Sequence, residues 1–163
     1  MKQKTAYLGL FTAVAIIFGY VETLIPVFAG IPGIKLGLAN LSVLFILERY
    51  SLKEAALVSA VRILVIGFLF GNMFSILYSL AGAALSLIVM TLMKKSSDFS
   101  IPVISVAGGV THNVGQLLVA MAIVENTSLL YYAPALLVSG VITGLLIGWL
   151  TDEVQKRVPV SYS

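Results

Sequence analysis

Long apolar runs, interrupted by short polar or Gly- and Pro-containing breaks, organise the whole sequence. The breaks lie at Pro26 with the turn 30–33, at the charged stretch 48–54, at Gly71 and Asn72, at 94–98 and at 125–128. Since about twenty apolar residues cross a bilayer as an α-helix, the pattern predicts an all-α bundle of about six transmembrane helices. These spans are predicted at about 5–26, 36–50, 54–71, 74–93, 101–124 and 132–151, and the second is the shortest.

Composition points to the same class of protein. Of the 163 residues, 60% are hydrophobic and 10% are charged, and the mean hydropathy is +1.06. A soluble domain is about half apolar and about a quarter charged. We therefore expect an integral membrane protein with a single transmembrane domain over 1–163. The absence of cysteine excludes a disulfide framework, a thiolate metal site and a cysteine nucleophile.

The basic start of the chain is typical of a signal peptide, but its apolar run continues to Pro26 without a small-residue cleavage site. This favours a retained first helix. With six spans, eight of the ten basic residues fall on one side of the membrane: Lys2, Lys4, Arg49, Lys53, Lys94, Lys95, Lys156 and Arg157. The positive-inside rule then predicts that both termini are cytoplasmic, in a multi-pass protein of a bacterial-type cell membrane. Because these charges are spread over short loops, nucleic-acid binding is not expected.

Several polar side chains interrupt the predicted spans. At about 1.5 Å per residue, Arg62 lies roughly 12 Å into the third span and His112 roughly 16 Å into the fifth. Glu22, Asn40 and Asn72 lie near the outer ends of the first three spans. Ionised groups that face lipid at this depth are unfavourable, so these side chains should point inward, to partners or to water. The sequence therefore predicts a cavity that opens to the outside.

The fifth span carries the densest polar cluster. His112 and Gln116 are four residues apart and share one helix face, and Gly108, Gly109 and Gly115 are expected to leave space beside them. Asn113 lies about 100° around the helix from His112. Two interpretations remain open for these side chains. They line a ligand site, or they bond helix to helix, at about 0.6 kcal/mol each in a membrane.

Arg62 and Lys35 also have two interpretations each. Arg62 either binds a carboxylate or phosphate bidentately or is neutralised by Glu22 across the bundle. Lys35 is either a solvated loop charge or a ligand for an anionic group. The predicted ligand-binding residues are His112, Asn113, Gln116, Arg62, Asn40, Lys35, Glu22 and Asn72.

Small residues recur every fourth position along three spans. Gly140, Gly144 and Gly148 do so in the last span, Gly67 and Gly71 in the third, and Gly9 and Ala13 in the first. Such stripes mark close helix contacts, usually within one bundle. No phosphate-cradling loop, zinc motif, nucleophile elbow or aspartate-rich magnesium motif is present in the sequence, so we expect neither an enzyme nor a metal or cofactor site.

Two segments resemble the Gx transporter family, also labelled heptaprenyl diphosphate synthase component I: PGIKLGLANL at 32–41 and GGVTHNVGQ at 108–116. That family is similar to the substrate-binding S components of energy-coupling factor (ECF) transporters, which are small six-helix membrane proteins. The resemblance implies capture of a vitamin-like small molecule from outside. It also implies association with a transmembrane coupling subunit and two cytoplasmic ATPases. Gly9 and Ala13 would dock to the coupling subunit, and the loop at about 27–36 would cover the ligand.

The family label suggests a hypothesis for the substrate. An isoprenoid or quinone precursor with an anionic head would suit Lys35, Arg62 and His112 at one end and apolar walls at the other. Two alternative functions remain. The chain is a membrane-anchored accessory subunit of a prenyl diphosphate synthase, or it is a stand-alone carrier that associates through the Gly140, Gly144 and Gly148 face.

Overall fold

The computed structural model of the protein describes residues 2–24, 37–96 and 98–158, with side chains from Lys4 onward. These residues form six α-helices and one 3₁₀ helix, and no strand occurs among them. The α-helices are α1 (Lys2–Leu24), α2 (Leu38–Arg49), α3 (Leu52–Phe70), α4 (Met73–Ser96), α5 (Ile101–Val124) and α6 (Ala133–Arg157); the 3₁₀ helix is Thr127–Tyr132. Each α-helix coincides with one predicted span to within a few residues, except that α1, α4 and α6 extend further at one end. The predicted α-helical membrane bundle is confirmed.

Four segments are long and apolar enough to cross a membrane: Lys4–Leu24, Met73–Ser96, Ile101–Val124 and Thr127–Arg157. The 19 residues of α3 include Lys53, Glu54 and Arg62. The 12 residues of α2 rise only about 18 Å, whereas the hydrocarbon core of a bilayer is about 30 Å thick. At least one end of α2 must therefore lie at membrane depth in a bundle that spans the bilayer.

Helix α2 forms the centre of the bundle because its stretch 43–47 is apolar around the whole circumference. Seven of its residues are buried: Ala39, Ser42, Val43, Leu44, Phe45, Ile46 and Leu47. It packs against α1, α3 and α6. The ring of Phe45 stacks on Phe11 of α1 with 4.3 Å between centroids. A helix that is hydrophobic on all sides is stable only when other helices surround it.

Side chains from neighbouring helices hold both ends of α2. At its N-terminus, the Leu38 N–H donates to the carboxylate of Glu22 at 2.7 Å. At its C-terminus, the Lys94 ammonium donates to the carbonyl oxygens of Leu47 and, at 2.8 Å, Glu48. Backbone groups at helix ends have no partner within the helix. An anion at the N-terminus and a cation at the C-terminus also complement the helix dipole.

One end of the bundle collects most of the basic residues, and we call it the basic end. There Lys4 of α1 pairs with Glu54 of α3 at 2.5 Å. The Arg49 guanidinium donates to the Gln155 carbonyl of α6 at 2.5 Å. The start of α1 and α3 and the end of α2, α4 and α6 therefore meet at this end. The grouping is the one that the charge pattern of the sequence predicts for a cytoplasmic face.

Glycines allow α5 to contact both α4 and α6 backbone to backbone. A Cβ at Gly144 would lie 2.6 Å from the Cα of Val106, and one at Gly148 would lie 2.5 Å from the Cα of Pro102. A Cβ at Gly115 would lie 2.9 Å from the Cα of Gly82. The small-residue stripe of the last span thus packs within the bundle. In contrast, beyond its chain neighbours and the backbone of its own helix, no atom of the described residues lies within 4 Å of a Cβ built at Gly9.

We expect Gly144→Ala to lower the free energy of unfolding by about 1–3 kcal/mol, because the added methyl meets backbone that cannot move aside. The measurement is thermal unfolding in detergent, followed by size-exclusion chromatography. Gly9→Ala is the matched control and should be neutral or stabilising by about 1 kcal/mol or less, since it adds helix propensity in open space. Equal melting temperatures for the two variants would contradict the α5–α6 contact.

Candidate functional site

A polar cavity of about 50 Å³ lies inside the bundle, with room for about four water-sized groups. Every α-helix contributes a polar side chain to it. Its lining residues are Glu22 (α1), Gly37 and Asn40 (start of α2), Arg62 (α3), Ser79 (α4), Gly109, His112, Asn113 and Gln116 (α5) and Thr143 (α6). Six of the eight predicted ligand-binding residues are therefore brought together in one space.

The α1–α3 wall of the polar cavity contains its charged groups. The Arg62 guanidinium donates to the Asn40 Oδ1 at 3.2 Å and interacts electrostatically with Glu22. Glu22 also accepts a hydrogen bond from the Leu38 N–H, so its carboxylate interacts both with the N-terminus of α2 and with the Arg62 guanidinium. The Arg62 Nε is buried and has no hydrogen-bond partner among the described residues. One guanidinium N–H is therefore available to an acceptor inside the cavity.

Two neighbouring amides on α5 have different environments. The Asn113 Nδ2 donates to the Leu136 carbonyl at 2.7 Å and to the Ser139 Oγ at 3.3 Å, both on α6. Asn113 thus links two helices although it also lines the cavity. The Gln116 amide has no hydrogen-bond partner in the part of the chain that the structure describes. Of these two side chains, Gln116 is the one free to bind a ligand.

The other predicted residues lie elsewhere. Asn72 is exposed beyond the end of α3, and its Oδ1 accepts the Ser75 N–H at 2.8 Å at the start of α4. It does not line the polar cavity. Lys35 and the predicted loop over the ligand at about 27–36 fall outside the described residues. Gly9 and Ala13 are exposed on one face of α1.

Sequence reasoning missed three lining residues: Gly37, Ser79 and Thr143. Gly37 adopts a left-handed conformation (φ 75°) immediately before α2, which a residue with a side chain rarely adopts. Ser79 belongs to a stripe of small and hydroxyl residues on α4: Ser75, Ser79 and Ser86 line this cavity or an adjoining pocket, and Gly82 packs against α5. Because residues spaced by three and four positions share one face of a helix, the sequence contained a pattern that could have identified this face of α4.

The glycines of α5 do less to open space than the sequence suggested. Gly109 lines the cavity, but a Cβ there would also lie 2.6 Å from the Gly140 carbonyl oxygen of α6. Gly115 contacts α4 and lines no described pocket. A Cβ at Gly82 would lie 2.8 Å from the Gln116 Cγ. Close helix approach therefore fixes the positions of the α5 side chains around the cavity.

Two further pockets adjoin the polar cavity along the bundle axis. A lower pocket of about 30 Å³, towards the basic end, shares Asn40 and His112 with it and has apolar walls such as Leu87 and Met90. An upper pocket of about 70 Å³ shares Glu22 and Arg62 with it. The polar cavity thus shares lining residues with a pocket on either side of it. Among the described residues, no group of three or more His, Asp or Glu side chains is placed to hold a metal ion.

Comparison with known protein families gives a match over most of the chain. The family model described as heptaprenyl diphosphate synthase component I matches residues 11–154. This range contains every described residue of the polar cavity. No curated protein and no solved structure shows significant similarity to the chain.

Because Asn113 and Gln116 have different hydrogen-bond partners, we expect their substitution by alanine to change the free energy of unfolding differently. Asn113→Ala should lower the free energy of unfolding by about 0.6–1.7 kcal/mol, because it removes the bonds from α5 to α6. Gln116→Ala should lower it by less, because the amide has no hydrogen-bond partner among the described residues and only packing against Gly82 is lost. Chemical or thermal unfolding in detergent measures both. A Gln116→Ala loss as large as that of Asn113→Ala would contradict the assignment.

Proposed function

Since the chain belongs to the heptaprenyl diphosphate synthase component I family, which is similar to S components, we propose that it is the substrate-binding subunit of an ECF-type importer. It captures a small vitamin-like molecule, or an isoprenoid or quinone precursor, from the outside. A coupling subunit and two cytoplasmic ATPases then drive uptake. The observation that carries this proposal is the polar cavity to which all six described α-helices contribute a side chain.

The energetics of a membrane interior support a binding role. Arg62, Glu22 and His112 lie within apolar helices, where polar and ionised side chains are unfavourable and usually mark a functional site. The Arg62 Nε and the Gln116 amide have no protein partner among the described residues, so a ligand would supply one. The site also lies at the N-terminus of the short helix α2. In many transporters, helix N-termini at membrane depth face the substrate.

The orientation follows from the basic end. We propose six membrane-crossing segments, with α2 as a short one, and both termini in the cytoplasm of a cell with a bacterial-type membrane. The clustering of Lys4, Arg49 and Lys94 at one end supports this orientation. The polar cavity then opens towards the outside through the upper pocket, and the closely packed half of the bundle faces inward.

The exposed face of α1 is the proposed contact with the coupling subunit. Gly9 and Ala13 lie on it, and Leu10 and Ile17 beside them are more than half exposed. A small-residue stripe with open space around it permits close approach of a helix from another subunit. The Gly140, Gly144 and Gly148 face differs, because α5 already covers it. This lowers the support for a stand-alone carrier that associates through that face.

The family description favours a second candidate function, a membrane-anchored accessory subunit of a prenyl diphosphate synthase. Such a subunit would bind a soluble catalytic partner stably. A pull-down of the chain from its native membrane distinguishes the two functions by the proteins that are recovered with it. Recovery of a soluble prenyl synthase without ATPases would replace the importer proposal.

Ligand binding is tested by native mass spectrometry of the purified protein, with identification of any small molecule released on denaturation. We expect one molecule per chain. His112→Ala and Gln116→Ala should each weaken its binding by about 1–3 kcal/mol, because a ligand group loses its partner. Leu118→Ala, on the exposed side of α5, is the control and should bind normally. Unchanged binding by both site variants would contradict the site.

Partner binding is tested by co-purification with the coupling subunit. Gly9→Leu and Ala13→Leu should reduce the recovered coupling subunit severalfold, because bulk on this face prevents close helix approach. Ala84→Leu, at an exposed position of α4, is the matched control and should not. Equal recovery for all three variants would show that α1 does not form the contact.

A further inference from the structure

A groove on the side of the bundle adjoins the polar cavity, and we call it the side groove. It has a volume of about 120 Å³ and lies between α4, α5, the 3₁₀ helix and α6. Its lining residues are Tyr78, Gln116, Leu117, Ala120, Leu129, Tyr132 and Leu136. No charged residue is among them, and Gln116 is the only amide. The groove therefore suits an apolar group.

Gln116 is the residue that the side groove and the polar cavity share. Its amide has no hydrogen-bond partner among the described residues, and Gly82 of α4 packs against its Cγ. A molecule that extends from the cavity into the groove must pass this side chain. The polar head of such a molecule would meet Arg62, Asn40 and His112, and its tail would meet only carbon-rich walls.

The lower pocket is a poorer place for a tail. Its volume is about 30 Å³, room for about two water-sized groups, and its walls include the buried core residues Val43, Leu44 and Ile147. Enlarging it would require displacement of the core around α2. The side groove is four times larger, and its walls are mostly half-buried.

The surroundings of the side groove are those of a lipid-facing surface. Leu77, Leu118 and Leu137 lie on the same helices and are exposed. In a bilayer, such side chains contact lipid tails, so a tail that lies in the groove has lipid-facing side chains beside it.

We propose that the side groove holds the hydrocarbon tail of an amphiphile whose anionic head binds in the polar cavity, with Gln116 at the junction. This inference rests on the proposed function and narrows its substrate class to amphiphiles with an extended tail. The head is anionic because the Arg62 Nε–H has no acceptor among the described residues and a guanidinium donates most strongly to an anionic oxygen, whereas the Gln116 amide adds a neutral donor. The tail is apolar because the groove offers no charge and a single amide.

The test compares n-butyl phosphate with n-dodecyl phosphate as probes. Binding to the protein in phosphatidylcholine nanodiscs is measured by calorimetry, and the signal of empty nanodiscs is subtracted. We expect dodecyl phosphate to bind about tenfold more tightly or better, because its longer tail buries more apolar surface. Ala120→Phe fills the groove and should lower dodecyl phosphate affinity about tenfold without changing that of butyl phosphate.

Ala122→Phe is the matched control, since Ala122 is an exposed alanine two residues further along α5 and outside the groove. It should change neither affinity. Leu129→Ala removes a wall contact instead of adding bulk, and it should lower only dodecyl phosphate affinity. It tests the groove independently if Ala120→Phe does not fold, as judged by size-exclusion chromatography.

Three results would overturn the inference. If Ala120→Phe and Ala122→Phe change the affinity for dodecyl phosphate equally, the preference for the longer tail comes from the bilayer and not from the groove. If neither probe binds above the signal of empty nanodiscs, anionic amphiphiles are excluded as ligands. A co-purified ligand of another chemical class would in that case leave the proposed function intact. The third result is that Arg62→Gln binds dodecyl phosphate normally while Ala120→Phe still weakens its binding. The groove would then be a lipid site that is not connected to the cavity.

Discussion

The short helix α2 imposes the constraint on which the rest of the structure depends. Its 12 residues end well inside a bilayer-spanning bundle, where each unsatisfied backbone group is unfavourable by several kcal/mol. The Glu22 carboxylate at the Leu38 N–H and the Lys94 ammonium at the last carbonyls satisfy part of this need. Once Glu22 is required at that depth, a cation beside it is favourable, and Arg62 of α3 supplies it.

The same constraint divides the bundle into two halves. Around the apolar length of α2, side chains from all the other α-helices form a dense core towards the basic end, with Phe45, Leu44 and Ile46 almost completely buried. Beyond the N-terminus of α2, none of the described helices fills the centre, and the polar cavity and the upper pocket lie among their side chains. The dense core and the candidate binding cavity therefore both depend on the shortness of this helix.

Helix α5 connects these halves because it combines glycine contacts with polar side chains. Its backbone lies directly against Gly82 of α4 and Gly140 of α6, which fixes its rotation. That rotation directs Asn113 to α6, His112 to the polar cavity and Gln116 to the boundary between the cavity and the side groove. A ligand that binds here would contact helices whose positions are set by backbone packing, so little reorganisation would accompany binding.

The sequence by itself determined the membrane character of the chain, the approximate positions of six helices and the unusual shortness of the second, because these follow from the lengths of apolar runs. It also selected six of the cavity residues, because polar side chains within such runs are rare. Only the tertiary structure distinguished bound Asn113 from free Gln116, assigned Glu22 to the end of α2, placed Asn72 outside the cavity and added Ser79 and Thr143. The reason is physical. Spacing along one helix fixes which residues share a face, whereas the rotation and approach of the neighbouring helix decide what that face meets.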